Sequence, residues 1–222
     1  MKSRQEMINY IAAELSVKEK QVANVLVLLE DGNTIPFIAR YRKEMTGSLD
    51  EVEIRSISER WTYLENLEKR KEEVLRIIGE QGKLTAELSQ EIKKAVKLQT
   101  VEDLYRPYKQ KRRTKASIAK EKGLEPLAKW MMNAPMSVSP IDKAAEFVDA
   151  DKGVGTVVEA IEGAKDIIAE NISDNASFRK WIRDETFKHG TIKSVGKDEE
   201  KDEKKVFEMY YDYEEAIGKL VP

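Results

Sequence analysis

The sequence predicts an all-α chain: a multi-helix assembly with one long central helix and at most one or two short strands near the C-terminus. Three observations predict it. Apolar residues recur at helical spacing in one stripe after another, from Ile8 to Ile182. Charged residues make up 36% of the 222 positions against only 11 Gly and 6 Pro, which suits amphipathic helices with solvated faces. Apolar residues, at 41%, are enough for a real hydrophobic core.

The elements follow in order. Ile8, Ile11, Ala12 and Leu15 fall at i, i+3, i+4 and i+7, the buried stripe of a first helix. Ser16 and Glu19 have capping-box spacing for a second, which carries Val22, Val25, Leu26 and Leu29 and stops at Asp31-Gly32-Asn33. Thr34 is placed to cap a short helix with Pro36 in its first turn, where a missing N–H costs little. Thr46-Gly47-Ser48 is a break. Asp50 and Glu53 then open the long helix, with Ile54, Ile57, Trp61, Leu64, Leu67, Val74, Leu75 and Ile78 inward as far as about Gly82. At about 1.5 Å per residue it runs about 45 Å.

Thr85 caps a helix bearing Leu88, Ile92, Ala95 and Val96, and Thr100 with Asp103 marks another start that Pro107 soon ends. Thr114 caps a short helix terminated by Gly123. Leu124, Leu127 and Met131 form a further stripe, with Trp130 beside it. The segment 135–140, holding Pro135, Ser137, Ser139 and Pro140, reads as a linker between a first helical region (1–134) and a second (141–190). In the second, a short helix near Ala144–Val148 precedes a longer one with Val157, Ile161, Ala164, Ile168 and Ile172. Asp174 is placed to cap a last helix with Phe178, Trp181 and Ile182 inward and Gly190 as its stop. In the terminal segment (191–222), Thr191–Val195 alternates like a strand, Lys197–Lys205 is a charged loop, and Val206, Phe207, Tyr210 and Tyr211 have helical spacing.

Most catalytic chemistry is missing from this inventory. There is no Cys, so thiolate chemistry, disulfides and cysteine metal sites are excluded. His189 is the only histidine and lies at an expected helix C-terminus, which suits a structural role. No Ser-His-Asp arrangement follows without it, no P-loop is present, and Gly153-Val154-Gly155 lacks the third glycine and preceding strand of a dinucleotide site. The many carboxylates, Glu51, Glu53 and Asp198 to Glu203 among them, read as solvated faces and loops. The expectation is a chain that is not an enzyme, with no cofactor and no metal. The opening residues do not form a signal peptide, and no run approaches the roughly 18 apolar residues of a membrane span. The expected location is the cytoplasm.

The net charge of −2 conceals a segregation along the chain. From Arg106 to Lys122 eight basic residues stand against Glu121 alone, and from Lys197 to Glu215 nine acids stand against four lysines. A concentrated basic stretch points to a polyanion. The candidate phosphate contacts are Arg106, Lys109, Lys111, Arg112, Arg113 and Lys115, flanked by Tyr105 and Tyr108, on a loop before a helix whose first amides are a further attraction for an anion. The same loop could equally be neutralised by acids elsewhere in the fold. Arg40, Arg42 and Lys43 form a second, smaller patch, for which ion pairs with glutamates of the long helix are the competing reading. Trp61, Trp130 and Trp181 read as core residues. Tyr210, Tyr211 and Tyr213 suit either base stacking or a helix packed on its neighbour.

Three strings carry a family resemblance: IPFIARYRKEMTGSLDE, EQGKLTAEL and EDLYRPYKQKRRTKASIAKEKGLEPLA. In order and spacing they closely resemble the N-terminal region of the bacterial Tex family of transcription accessory proteins. The likeness runs from the opening helices to EGAKDIIAE and is looser past Gly190. It implies a helical N-terminal part that includes a helix-turn-helix-like portion, and a fragment of a longer protein that continues into an RNase H-like domain, a helix-hairpin-helix region and an OB-type RNA-binding barrel. It also implies nucleic-acid binding chiefly through that barrel, a role in transcription, and no enzymatic activity in the N-terminal part. The reading is a non-catalytic module that aids RNA or DNA binding without reading sequence. The alternative is a scaffold that organises the remaining domains of the same polypeptide or contacts RNA polymerase and other transcription machinery. Neither reading involves a membrane.

Overall fold

A computed structural model describes residues 2–110, 112–133, 139–197 and 202–220. It is helical almost throughout, with one two-stranded antiparallel sheet near the C-terminus, as expected of an all-α chain. The chain forms two compact units, Met1–Tyr105 and Arg106–Pro222. The division falls just before the basic stretch, so that stretch belongs to the second unit. Of the expected linker, residues 135–138 lie outside the described residues.

In the first unit, α1 (Arg4–Leu15) begins at a capping box in which Ser3 Oγ accepts the Glu6 amide at 3.2 Å and the Glu6 carboxylate accepts the Ser3 amide at 2.6 Å. A three-residue turn leads to α2 (Glu19–Glu30), which gives the helix-turn-helix opening. The expected Ser16–Glu19 box does not form. Ser16 is used instead to close α1 in the left-handed conformation, φ 57°, with its amide on Ala12 O. Lys18 takes the N-cap position, and its amide donates to Gln21 Oε1 at 3.0 Å. Next come α3 (Ile35–Tyr41) and the single turn α4 (Lys43–Thr46).

The long helix α5 (Glu51–Glu80) starts at the anticipated Asp50–Glu53 box, closed by two 2.8 Å bonds. Its stripe of Ile54, Ile57, Trp61, Leu64, Leu67, Val74 and Ile78 is buried, and α1, α2 and α3 pack around it. The gap in the apolar pattern between Leu67 and Val74 is filled by charge. Lys71 is fully buried, and its Nζ donates to Glu68 Oε1 at 2.7 Å and to Lys93 O at 3.0 Å. Glu68 Oε2 in turn accepts the Lys2 amide at 3.1 Å. Two more helices, α6 (Ala86–Lys94) and α7 (Leu98–Tyr105), complete the unit. Thr85 caps α6 as expected. α7 begins two residues before Thr100, because the Leu98 amide finds Tyr63 Oη at 3.0 Å as its acceptor. Arg70 of α5 grips Glu102 of α7 at 2.6 and 3.2 Å.

The second unit contains α8 (Lys115–Glu121), α9 (Glu125–Met132), α10 (Pro140–Ala145), α11 (Val157–Asp174) and α12 (Ala176–His189). α10 starts four residues before the expected Ala144 because Pro140, with its preset φ, suits a first turn. Ala116, Ala119, Leu124, Leu127, Ala160, Ala164 and Ile167 form the core, with Trp130 and Met131 partly buried against it. Small residues on α8 and α11 bring the two helices close. At Gly163 a Cβ would meet Leu124 Cδ1 at 2.4 Å.

α12 differs most from expectation. Asn175, not Asp174, caps it by accepting the Ser177 and Phe178 amides, because the Asp174 carboxylate is engaged by Arg106. Phe178, Trp181 and Ile182 do not face inward: they are 48%, 62% and 53% exposed, and no described residue of α12 is buried. Helical spacing marks an amphipathic face, but it does not supply a surface to cover it. Trp61 is buried and Trp130 partly so, whereas Trp181 is not a core residue.

The strand expected at Thr191–Val195 forms as β1 and pairs antiparallel with β2 (Asp212–Ala216), Lys193 opposite Glu214 at 2.7 Å. Within the segment expected to be helical, Glu208–Tyr210 makes only a 3-10 turn, and Tyr213 lies in β2. Asp202 anchors this turn by accepting the Val206 and Phe207 amides and the Tyr211 hydroxyl, which together hold its carboxyl below the usual range. Residues 198–201 of the expected charged loop lie outside the described residues. No helix among the described residues is long and apolar enough to cross a membrane.

Candidate nucleic-acid interface

The basic stretch begins where α7 ends. Pro107 cannot continue an α-helix, and Arg106–Tyr108 tightens into a 3-10 turn. The chain re-enters a helix at Thr114, whose Oγ1 accepts the Ser117 amide at 3.0 Å and donates to Glu170 Oε1 at 3.0 Å, while Ser117 Oγ accepts the Thr114 amide at 2.8 Å. This reciprocal cap occupies an amide that an anion would otherwise use. The start of α8 is therefore less open to a phosphate than the sequence suggested.

Between these two anchors the cations divide into two groups. Arg106 Nε donates to Asp174 Oδ1 at 3.0 Å, and Arg113 Nη2 to Glu121 Oε2 at 3.1 Å. Lys120 stands 3.6 Å from Glu170. Lys109, Arg112 and Lys115 are exposed and form no ion pair among the described residues. Lys111 lies outside the described residues. The Arg113–Glu121 pair is itself mostly in water, where such pairs are worth about 1 kcal/mol or less, so a phosphate can displace the glutamate cheaply.

A cleft of about 430 Å³ opens beside the loop, lined by Arg106, Lys109, Arg112, Thr114, Glu170 and Asp174. A neighbouring cavity of about 390 Å³ shares Lys109, Glu170 and Asp174 and adds Pro107 and Lys120. The wall contributed by α11 is acidic. Glu170 and Asp174 neutralise Arg106 and Lys120 and would repel a phosphate placed inside. The cleft therefore serves mainly to seat the loop, and the charge available to an anion lies on its rim.

Arg40, Arg42 and Lys43 belong to the first unit. Arg40 and Lys43 are exposed, and Arg42 is half-buried. The competing reading, ion pairs of Arg40 and Arg42 with glutamates of the long helix, does not hold: among the described residues neither these two nor Lys43 is in a salt bridge. The Arg42 guanidinium instead lies 5.4 Å from the centroid of Phe37, and Phe37 lies 5.2 Å from Tyr41 at a tilt of 46°. These two aromatics had no part in the charge-based reading, although their i, i+4 spacing within PFIARY was the available signal. The acids Glu170 and Asp174 gave no local signal at all, since they reach the loop from more than fifty positions away.

The remaining features are local. His189 occupies the last turn of α12, exposed and 3.6 Å from Glu185. Gly153 closes a 3-10 turn at φ 75°, its carbonyl accepting from Lys122 Nζ at 2.6 Å. No group of three or more His, Cys, Asp or Glu side chains suited to a metal ion occurs among the described residues.

Two family models match the chain: a Tex-like protein N-terminal domain over residues 5–79 and a Tex central region-like model over 135–222. An uncharacterised protein of Bacillus subtilis, YdcI, is 61% identical over 96% of the chain. The transcriptional accessory protein Tex of Neisseria gonorrhoeae is 39% identical over 93% of it. At 27% identity over 80% of the chain, human S1 RNA-binding domain-containing protein 1 is a more distant relative. The chain spans 30%, 27% and 18% of these three proteins respectively.

Proposed function

Because this chain belongs to the Tex family, as its N-terminal and central helical part, we propose that it is a non-catalytic module that aids nucleic-acid binding in a transcription accessory protein of the cytoplasm. The observation that carries this reading is the exposure of Lys109, Arg112 and Lys115 without ion pairs among the described residues, on a loop held at both ends. Two relatives, one named a transcriptional accessory protein and one named for an S1 RNA-binding domain, support it. No recognition pattern for base edges is visible in the loop, so the contact assigned to it is with phosphates and independent of sequence. Arg40, Arg42 and Lys43 add cations from the first unit. No reaction is assigned to the chain.

The ion pairs set the expected salt dependence. If Lys109, Arg112 and Lys115 alone release counterions from a duplex, the log–log slope is about −3, and if Arg106, Lys111 and Arg113 join them it approaches −5. A titration of short RNA and DNA duplexes at several salt concentrations distinguishes the two. Charge reversal of Lys109, Arg112 and Lys115 to Glu should abolish most of the binding and flatten the slope. Unchanged affinity in that variant rejects the loop as the contact.

The uncovered apolar face of α12 favours a second reading, a scaffold that holds the remaining domains of the polypeptide or contacts RNA polymerase. It predicts that the chain retains a protein partner in a pull-down through Phe178, Trp181 and Ile182 while showing no measurable affinity for nucleic acid.

A further inference from the structure

We infer that the α3–α4 corner of the first unit binds single-stranded nucleic acid by stacking an unpaired base on Tyr41. This goes beyond the basic-loop reading and rests on different residues, although it shares the premise that the chain meets nucleic acid. Tyr41 closes α3 and is 62% exposed. Phe37, one turn earlier, is exposed as well, and Met45 of α4 extends the apolar surface. The Phe37 and Tyr41 rings meet at a tilt of 46° with centroids 5.2 Å apart, and the contact leaves Tyr41 largely exposed. The Arg42 guanidinium lies over Phe37 and leaves Tyr41 as the open ring.

Charge at the corner matches this apolar platform. Arg40, Arg42 and Lys43 surround Tyr41 in sequence, and Glu44 is the acid beside them. None of the three cations is taken up by a carboxylate among the described residues, although α5 of the same unit carries several glutamates. Cations alone would suit any phosphate. Exposed rings beside them gain nothing from a duplex, whose base faces are already stacked. They gain from a strand whose bases are free, where aromatic stacking tolerates any base and the cations follow the backbone. Two rings and three cations within seven residues, Phe37 to Lys43, supply both parts of that chemistry.

The test uses the whole chain and fluorescently labelled single strands of about 12 nucleotides, as RNA and as DNA, beside duplexes of the same length. Tyr41→Ala should weaken single-strand binding roughly tenfold, in line with the usual loss of one base stack, and leave duplex binding within about twofold. Tyr41→Phe keeps the ring and should restore wild-type affinity. Because stacking releases no counterion, the salt slope for Tyr41→Ala should equal that of the wild type. A surface tyrosine tolerates truncation, and circular dichroism of the variant verifies the fold. The RNA and DNA arms identify which strand is preferred. Single-strand affinity unchanged in Tyr41→Ala, or an equal loss on duplex, overturns the inference. Loss of binding on reversing the loop charges with Tyr41→Ala silent leaves the loop reading standing and removes this one, and the opposite pattern does the reverse. A wild-type chain that binds no single strand removes the stacking site outright.

Discussion

Lys71 and Glu68 are the two positions where side-chain chemistry departs furthest from the pattern that surrounds it. A buried ammonium is costly unless every proton finds an acceptor, and here Glu68 Oε1 and Lys93 O supply two. The pair joins three pieces of chain: the start of α1 through the Lys2 amide, the middle of α5, and the end of α6. Removing one partner strands the other. Lys71→Met should lower stability by about 3–5 kcal/mol, whereas Lys71→Met combined with Glu68→Leu should recover most of the loss, since replacing a whole buried pair by apolar groups is often close to neutral. Urea denaturation midpoints of the single and double variants check this. In the sequence these two residues look like the solvated face of a long helix. Burial of a charge depends on what the fold later brings over it, and Lys93 lies 22 positions downstream. The Arg106–Asp174 pair was hidden in the same way. By contrast Asp50, Thr85 and Thr114 were legible, because a cap and its amide lie within three residues.

At the scale of elements, twofold repetition of one substitution separates two effects. Gly79 and Gly163 both sit inside helices. At Gly79 a Cβ meets nothing closer than Leu84 Cδ2 at 3.9 Å, so Gly79→Ala should stabilise α5 by about 0.5–1 kcal/mol through helix propensity. At Gly163 the same methyl lands 2.4 Å from Leu124 Cδ1, so the buried Leu124 side chain must shift out of its packed position to admit it. Overpacking of this kind typically costs about 1–3 kcal/mol, which outweighs the propensity gain, so Gly163→Ala should destabilise the second unit. Thermal unfolding of both variants should show Tm shifts of opposite sign. The helices themselves could be read from period and punctuation. Their boundaries slipped where an acceptor came from elsewhere, as Tyr63 does for Leu98, or where an expected cap had been drawn into other work, as at Ser16 and Asp174. The short helix read into Val206–Tyr211 gave way to a 3-10 turn because Asp202 binds its first amides.

At the scale of the molecule, the candidate site was legible in composition but not in its balance. The run of cations from Arg106 to Lys115 stands out in any count of charge, yet which of them remain available depends on α11, more than fifty residues on. The aromatic pair at Phe37 and Tyr41 shows in the sequence only as i, i+4 spacing, in which a stacked surface and a packed one look alike. The face of α12 misled for the complementary reason: its apolar residues have the rhythm of a core helix without a core to enter.

That bare face also furnishes an optical handle. Of the three indoles, Trp61 is buried, Trp130 is partly so, and Trp181 sits in water. The red edge of the emission band should therefore belong to Trp181, and iodide should quench it before the other two. Trp181→Phe should shift the remaining spectrum to the blue. With a binding partner present, a blue-shifted, quencher-resistant band from Trp181 would mean that something has come to rest on α12, and the depth of quenching would report how completely it is shielded.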